Sequence, residues 1–326
     1  MRFEISETDA ALHDAASALL RAEAGPGLAR LGRSEPVAAV WRKLAGLGVT
    51  GTLVAEQAGG IGLDENALPP LLEEVGRAVL PVPAVETLAV AAPLLAEHAP
   101  EHLPGVLSGD TLVAAQLGDS PLVPFGQHAD LVLLRRGDRL YLYEDLAWEP
   151  AEAVDGARPL ARLAGPPSGG VELPADPEIA WRRGVLGTSA LLVGLAAGML
   201  DLTVGHVRER RQFGVPVGSF QAVKHALADA ALAIAFARPA VLAAAWAQAS
   251  GAADAGPQTS MAKILASTAA QRTARTALQC HGAIGYTTEY DLHLYAKRAW
   301  ALAATWGDPG RHRARLAETW QLTPEG

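Results

Sequence analysis

Along the first hundred residues, apolar positions recur at three- and four-residue spacing. Ala11, Leu12, Ala15, Ala16, Leu19 and Leu20 form one such stripe, with Ser6 or Thr8 standing where an N-cap belongs. A second helix is predicted from about Pro36 to Leu47, stopped by Gly48 at C′. Gly59-Gly60-Ile61-Gly62 reads as a loop. A third helix follows, capped by Asp64 or Asn66, delayed by Pro69 and Pro70, and ending near Val75 and Gly76. A fourth lies between Pro83 and Glu97. The pattern then changes. Thr111–Leu117 and Asp130–Leu134 are rich in Leu and Val, and Arg139–Tyr143 alternates polar and apolar residues. Arg135-Arg136-Gly137-Asp138 suits a hairpin between the last two, and Pro166-Pro167-Ser168-Gly169-Gly170 reads as a linker.

From Pro177 the helical period returns, with Asp176 as cap. One long helix runs to about Arg211, and a loop from Gly214 to Ser219 breaks it. Helices from Phe220 to Ser250 (kinked at Pro239), Pro257 to Cys280 and Glu289 to Thr305 follow, then a short tail helix after Pro309. The expected organisation is mainly α: an N-terminal helical domain (residues 1–102), a reduced β-rich middle domain (103–175) and a C-terminal four-helix bundle (176–326).

Composition narrows the function classes. The chain has 326 residues, half of them apolar, which excludes a disordered or disulfide-stapled protein. Net charge is −8 and no basic run tracks a phosphate backbone, so nucleic acid is excluded as a partner. Cys280 is the only cysteine; no intrachain disulfide can form, which fits a reducing cytoplasm. The start, Met1 to Glu7, carries acidic residues where a signal peptide needs an apolar core. The longest uncharged apolar run near a helix, Val185–Leu200, is shorter than the roughly 20 residues that cross a bilayer. It is closed by Asp201, so a buried helix is expected there and no membrane span.

Common chemical signatures are absent. Gly60-Ile61-Gly62 lacks the third glycine of the dinucleotide fingerprint, and there is no P-loop and no nucleophile elbow. His98 and His102 have metal-ligand spacing, but Pro100 breaks the helix between them, so surface histidines are expected and no metal. Two segments stand out. The first, Arg208 to His225, ends a long helix in a basic cluster, turns through Gly214 and Pro216, and starts a new helix at Ser219 or Phe220. It is either a capped corner or an anion site in which guanidinium groups and free N–H groups take a pyrophosphate. The second, Gln279 to Tyr290, places Gly282 and Gly285 in a tight turn where backbone can approach a ligand; by itself it also suits a helix C-cap. Cys280 reads as a small packed residue, and His281 either contacts a cofactor or closes the helix. Trp300 and Trp306 are six apart, off a shared helical face.

Taken together and in this order, the two segments closely resemble the acyl-CoA dehydrogenase family of flavoproteins. Arg210, Gln212, Phe213, Gly214, Pro216, Gly218, Phe220, Gln221, Lys224 and His225 match its first motif. Gln279, Gly282, Gly285, Tyr286, Thr287, Glu289 and Tyr290 match its second, with Ala283 replacing one glycine. His293, Tyr295, Lys297 and Arg298 continue it, and Trp41, Glu56, Gly59 to Leu63 and Glu73 to Arg77 fit the N-terminal part. The resemblance implies FAD held between subunits, with its adenosine-pyrophosphate half gripped by Arg210, Gln212, Phe213, Gln221, Gln279, Gly282 and Gly285. It also implies αβ-desaturation of an acyl-CoA substrate. A glutamate takes the α-proton, flavin takes the β-hydride, and an electron-transfer flavoprotein or similar acceptor takes the electrons.

The chain departs from that pattern twice. Counted from Glu289, the usual base position falls on Trp306, before Gly307; the alternative position on the long helix falls near Gly184. Neither is a carboxylate. Asp308 is a substitute base or the cap of the tail helix. The middle segment also lacks Thr-Glu-Pro-x-x-Gly-Ser-Asp; Gly118-Asp119-Ser120-Pro121 reads as a plain turn. The resemblance is therefore to the short subunit of heteromeric (α2β2) bacterial members, which completes FAD sites on a larger catalytic acyl-CoA dehydrogenase subunit. The alternatives are a self-sufficient homo-oligomer using Asp308, and a non-catalytic helical scaffold.

Overall fold

Ser6 opens the chain's first helix with a capping box. Its Oγ accepts from the Asp9 amide at 3.1 Å and the Asp9 carboxylate accepts from the Ser6 amide at 3.3 Å. Helix α1 (Glu7–Glu23) follows, in a computed structural model that describes residues 6–322. A short helix not expected from the pattern, α2 (Pro26–Leu31), precedes α3 (Glu35–Gly46), after which Gly48 adopts φ 91°. Asp64 caps a 3₁₀ turn (Glu65–Ala67) that leads into α4 (Leu68–Arg77). The helix ends at Arg77, one residue past the expected stop at Gly76. The helix runs through it, because Gly76 serves packing: a Cβ there would lie 2.4 Å from the Leu191 carbonyl oxygen. On the opposing helix a Cβ at Gly194 would lie 2.0 Å from the Glu73 carbonyl oxygen. The two glycines let backbones touch.

The single helix expected between Pro83 and Glu97 is a π-helical stretch (Glu86–Ala91) running into α5 (Ala92–His98). Pro93 has no N–H to offer one turn back, and the wider turn absorbs that loss. A 3₁₀ turn (Pro100–His102) and α6 (Leu103–Ser108) complete this part, and α6 packs on α3 and α5. The bundle thus gains a helical turn where the β pattern was expected to begin.

The β-rich part holds two small sheets. In one, β1 (Val113–Gln116) runs parallel to β3 (Leu131–Arg136), which pairs antiparallel with β4 (Arg139–Tyr143), and β4 with β7 (Val171–Leu173). In the other, β6 (Leu160–Leu163) lies between β2 (Leu122–Pro124) and β5 (Trp148–Ala151). Gly137, at φ 64°, turns the expected β3–β4 hairpin. Residues Pro166–Gly170 connect β6 to β7, crossing between the two sheets.

Asp176 caps α7 (Pro177–Glu209) by accepting from the Glu178 amide at 2.8 Å. A two-residue ribbon, β8 (Arg211–Gln212) with β9 (Val215–Pro216), and a 3₁₀ turn (Val217–Ser219) lead to α8 (Gln221–Ala249), which carries Pro239 in its interior. Helices α9 (Ala255–His281), α10 (Leu292–Ala304) and α11 (Pro309–Thr319) follow. The inner face of α9 is a run of Ala, Ser and Thr, so it lies close against α7 and α8. By length and composition alone α7 and α8 are each apolar enough to cross a bilayer, but the run Val185–Leu200 lies in the buried helix expected there. Of the most apolar stretch, 78% is buried in α7 but only 39% in α8. The first is a core helix wrapped by α4, α8, α9 and α10; the second leaves Leu232 and Phe236 exposed, as α9 leaves Leu265.

Candidate functional site

The corner between α7 and α8 is built from both sequence motifs. Arg210 ends α7 and the chain turns into the β8–β9 ribbon, with Phe213 (φ 52°) and Gly214 (φ 79°) at its tip. A left-handed phenylalanine is a strained choice. Phe213 is 92% exposed, and its ring meets Phe220 edge-on at 6.3 Å. Helix α8 begins at Gln221 with no side chain capping it, which leaves its first N–H groups for a ligand or water. The C-terminal end of α9 comes alongside. Together they enclose an open hollow of about 370 Å³ lined by Arg210, Gln212, Ala222, Gln279, Cys280, His281 and Gly282, with His206 one turn before Arg210.

Four of the seven residues expected at a cofactor therefore meet here: Arg210, Gln212, Gln279 and Gly282. Phe213 and Gln221 sit at the ribbon tip and the helix start without lining it. Gly285 does not reach it. It is buried in the turn after α9, and a Cβ there would lie 3.0 Å from His281 Cβ. Among the described residues Arg210 makes no ion pair. A guanidinium beside an uncapped helix start is an anion-binding arrangement.

The sequence reading missed the aromatic floor of this hollow. His206 stacks on His281 with ring centroids 4.3 Å apart, and Tyr290 packs against both at 5.9 and 4.7 Å. The one-turn spacing of His206 and Arg210 was the available signal. His281 donates from Nδ1 to the Ala277 carbonyl at 2.8 Å, so it closes the helix. Burial lowers both histidines below the usual range, with Arg210 adding to the effect on His206. Burial pushes the Cys280 thiol up, so it is a packed, poorly nucleophilic sulfur.

A second cleft, of about 420 Å³, lies between the β-rich part and the ends of α10 and α11. Trp181, Trp300 and Trp306 line it, with Asp119, Asp308 and Arg311. Trp300 and Trp306 share this cleft because the chain leaves the helix after Ala304, so helical spacing no longer governs them. Trp306 is buried at φ 58°, and its indole lies against Gly184, where a Cβ would come within 2.6 Å. The two positions that could have held a base thus touch each other and hold no carboxylate. Asp308 caps α11, accepting from the Arg311 amide at 2.9 Å, and that bond holds its carboxyl below the usual range. Such a carboxylate is a weaker base than an ordinary one. The Gly118–Pro121 segment is a turn on the cleft's rim, closed by the Gly118 amide donating to the Gln116 side chain at 2.9 Å.

Beneath Trp306 lies a buried histidine. His312 donates from Nε2 to the Trp306 carbonyl at 3.0 Å, and its Nδ1 accepts from the Ser260 hydroxyl at 3.1 Å. Burial lowers it to about 4. In the unfolded chain an ordinary histidine takes a proton near 6.5; the folded one does not until about 4. Stability is therefore expected to fall as pH drops from about 6.5 to about 4, by roughly 2–3 kcal/mol from this group. His128, His206, His281 and His293 are lowered too and act in the same direction. Urea unfolding at neutral and acidic pH measures it; an equally steep loss in His312→Gln would show that His312 is not responsible.

Taken together, the geometry defines a class: a mainly helical protein with N-terminal helices, a small β part and a helical bundle with an open hollow at one corner. Residues 178–320 match the acyl-CoA dehydrogenase C-terminal domain and residues 6–109 the acyl-CoA dehydrogenase N-terminal domain. The chain belongs to the acyl-CoA dehydrogenase family. It is 32% identical over 317 residues to acyl-CoA dehydrogenase IpdE2 of Mycobacterium tuberculosis, covering 95% of this chain and 96% of that protein. To IpdE2 of Mycolicibacterium smegmatis it is 30% identical over 321 residues, covering 96% and 98%. Among solved structures, a chain of the Tcur3481-Tcur3483 steroid ACAD G363A variant superposes with TM-score 0.87 at 28% identity, covering 97% and 98%. A chain of the ChsE4-ChsE5 complex from Mycobacterium tuberculosis has the same fold, with TM-score 0.86 at 24% identity, covering 99% and 100%.

Proposed function

We propose that this chain is the short subunit of a heteromeric, cytoplasmic, FAD-dependent acyl-CoA dehydrogenase, and that it completes the FAD site of a larger catalytic partner. The observation that carries this reading is the hollow, where two motifs about seventy residues apart meet around an unpaired Arg210 and an uncapped helix start. The donor set suits a diphosphate. Arg210 and the first α8 amides answer its charge, Gln212 and Gln279 offer amide donors and acceptors, and Gly282 leaves room for backbone approach. Bound FAD supplies the hydride acceptor for αβ-desaturation of an acyl-CoA thioester, with the electrons leaving to an electron-transfer flavoprotein or similar acceptor.

Neither expected position brings a base, since Trp306 fills the corner against Gly184, and Asp308 is engaged as a cap. The partner is therefore the source of the base. Two structural relatives are described as paired proteins, Tcur3481-Tcur3483 and ChsE4-ChsE5, which supports a heteromer. So do the exposed apolar side chains Leu232, Phe236 and Leu265 on the α8–α9 face. In this reading the N-terminal helices extend past the expected division at 102/103 to include α6, and the division at 175/176 separates the reduced β domain from the bundle that meets the partner.

Purification of the chain alone and with its partner tests the proposal. Flavin absorbance and acyl-CoA turnover are expected only in the complex. Stoichiometric FAD with full turnover in the lone chain would sink it.

A further inference from the structure

Thr188 lies in the middle of α7, where a hydroxyl ordinarily bonds back to the carbonyl one turn earlier. Two neighbours on the same helix do so: Ser189 donates to the Val185 carbonyl at 2.7 Å and Thr203 to the Met199 carbonyl at 2.6 Å. Thr188 does not. It is fully buried and its Oγ1 has no partner among the described residues. Arg298 of α10 is buried as well. Its Nε donates to Asp155 and its Nη1 to the Leu80 carbonyl at 3.1 Å, while Nη2 has no acceptor. Buried polar atoms are rarely left so, and each one calls for an explanation.

Both residues line one small internal cavity, with Glu86 and Arg158 in the same wall at 3.5 Å from each other. Its volume is about 20 Å³. A single water needs roughly 10–15 Å³ and at least two polar partners. We propose that this cavity is a structural binding site for one water molecule, which accepts from Arg298 Nη2 and bonds to the Thr188 hydroxyl. The charges favour a neutral guest. Two guanidiniums, Arg158 and Arg298, are matched by two carboxylates, Glu86 and Asp155, and the Glu86 carboxylate would repel an anion.

The site joins three parts of the fold. Glu86 and the Leu80 carbonyl come from the N-terminal helices, Asp155 and Arg158 from the β-rich part, Thr188 and Arg298 from the bundle. Arg158 also lines the open cleft beside Trp306, so the bound water backs the wall of that cleft. The inference depends on packing alone and stands whatever the chain's part in catalysis.

The test is crystallographic and thermal. Crystals of the protein, alone or in its complex, are soaked in sodium bromide and measured at the bromine edge. One water-height peak within hydrogen-bond reach of Thr188 Oγ1 and Arg298 Nη2, without anomalous signal, is expected. A bromine peak there, or an empty cavity, overturns the proposal. Thr188→Val keeps the shape and removes the hydroxyl, so the peak is expected to vanish and Tm to drop by roughly 2–4 °C. Thr188→Ser is expected to keep both. A Val variant as stable as the parent, or more so, also overturns it, because a dry cavity would welcome the methyl.

Discussion

Arg210→Glu is expected to strip FAD from the assembled enzyme while leaving the chain folded. The guanidinium sits at the mouth of the hollow with no ion pair among the described residues, so folding does not depend on it. A charge-assisted hydrogen bond to a charged group is worth about 1.5–3 kcal/mol. Replacing the cation by an anion removes that bond and adds repulsion against a diphosphate. FAD affinity is expected to fall by roughly a hundredfold or more. Arg210→Lys keeps the charge but loses the planar fork, so a loss of about tenfold is expected. Released-flavin fluorescence on dilution of the complex measures both, and Tm of the lone chain checks the fold. Unchanged flavin retention in Arg210→Glu would place the diphosphate elsewhere. A lone chain that unfolds would give the residue a structural role instead.

The corner where the two motifs meet was largely legible because it is written in two short contiguous stretches. Arg210 to His225 and Gln279 to Tyr290 carry glycines, a proline and a guanidinium whose local geometry follows from neighbours in sequence. Their meeting depends on the antiparallel packing of α8 and α9, which helical periodicity also foretells. Other features were hidden because their causes are distant. Gly76 reads as a helix stop, yet it is the place where α7 presses its backbone against α4. The strands β2, β5, β6 and β7 are three or four residues long and mix in Pro, Arg and Glu, so no alternation marks them. Gly285 falls within the second motif, and only the fold shows that its missing side chain makes room for His281. Trp306 and Gly184, more than a hundred residues apart, each read as a missing base; only the fold shows that one fills the space of the other.

Lys263 belongs to the same hidden set, and its removal is expected to have the largest effect on stability. In sequence it is the one lysine of an alanine-rich helix, where a solvent-facing position would be expected. In the fold it is fully buried, and its ammonium donates to the carbonyls of Leu302 and Ala303 at 3.1 Å and of Gly307 at 3.0 Å. The first two belong to the last turn of α10, whose carbonyls have no partner within the helix. Burial pushes Lys263 down to about 7, so carrying the charge has a real desolvation cost. Lys263→Met removes that cost, but while the Leu302 carbonyl keeps the Thr305 amide at 3.2 Å, those of Ala303 and Gly307 lose their donor, each worth about 1–3 kcal/mol. The second effect outweighs the first, and a net loss of about 3–5 kcal/mol is expected, of the size seen when one partner of a buried charged contact is removed. The turn carrying Trp306 at its left-handed φ is held by these bonds and by His312, so it is expected to loosen with them. Urea unfolding reads the stability, and tryptophan emission reads the cleft, which should shift to the red as Trp306 meets water. A Lys263→Met chain as stable as the parent, with unshifted emission, would mean that those carbonyls find water instead and that the ammonium is not what holds Trp306 against Gly184.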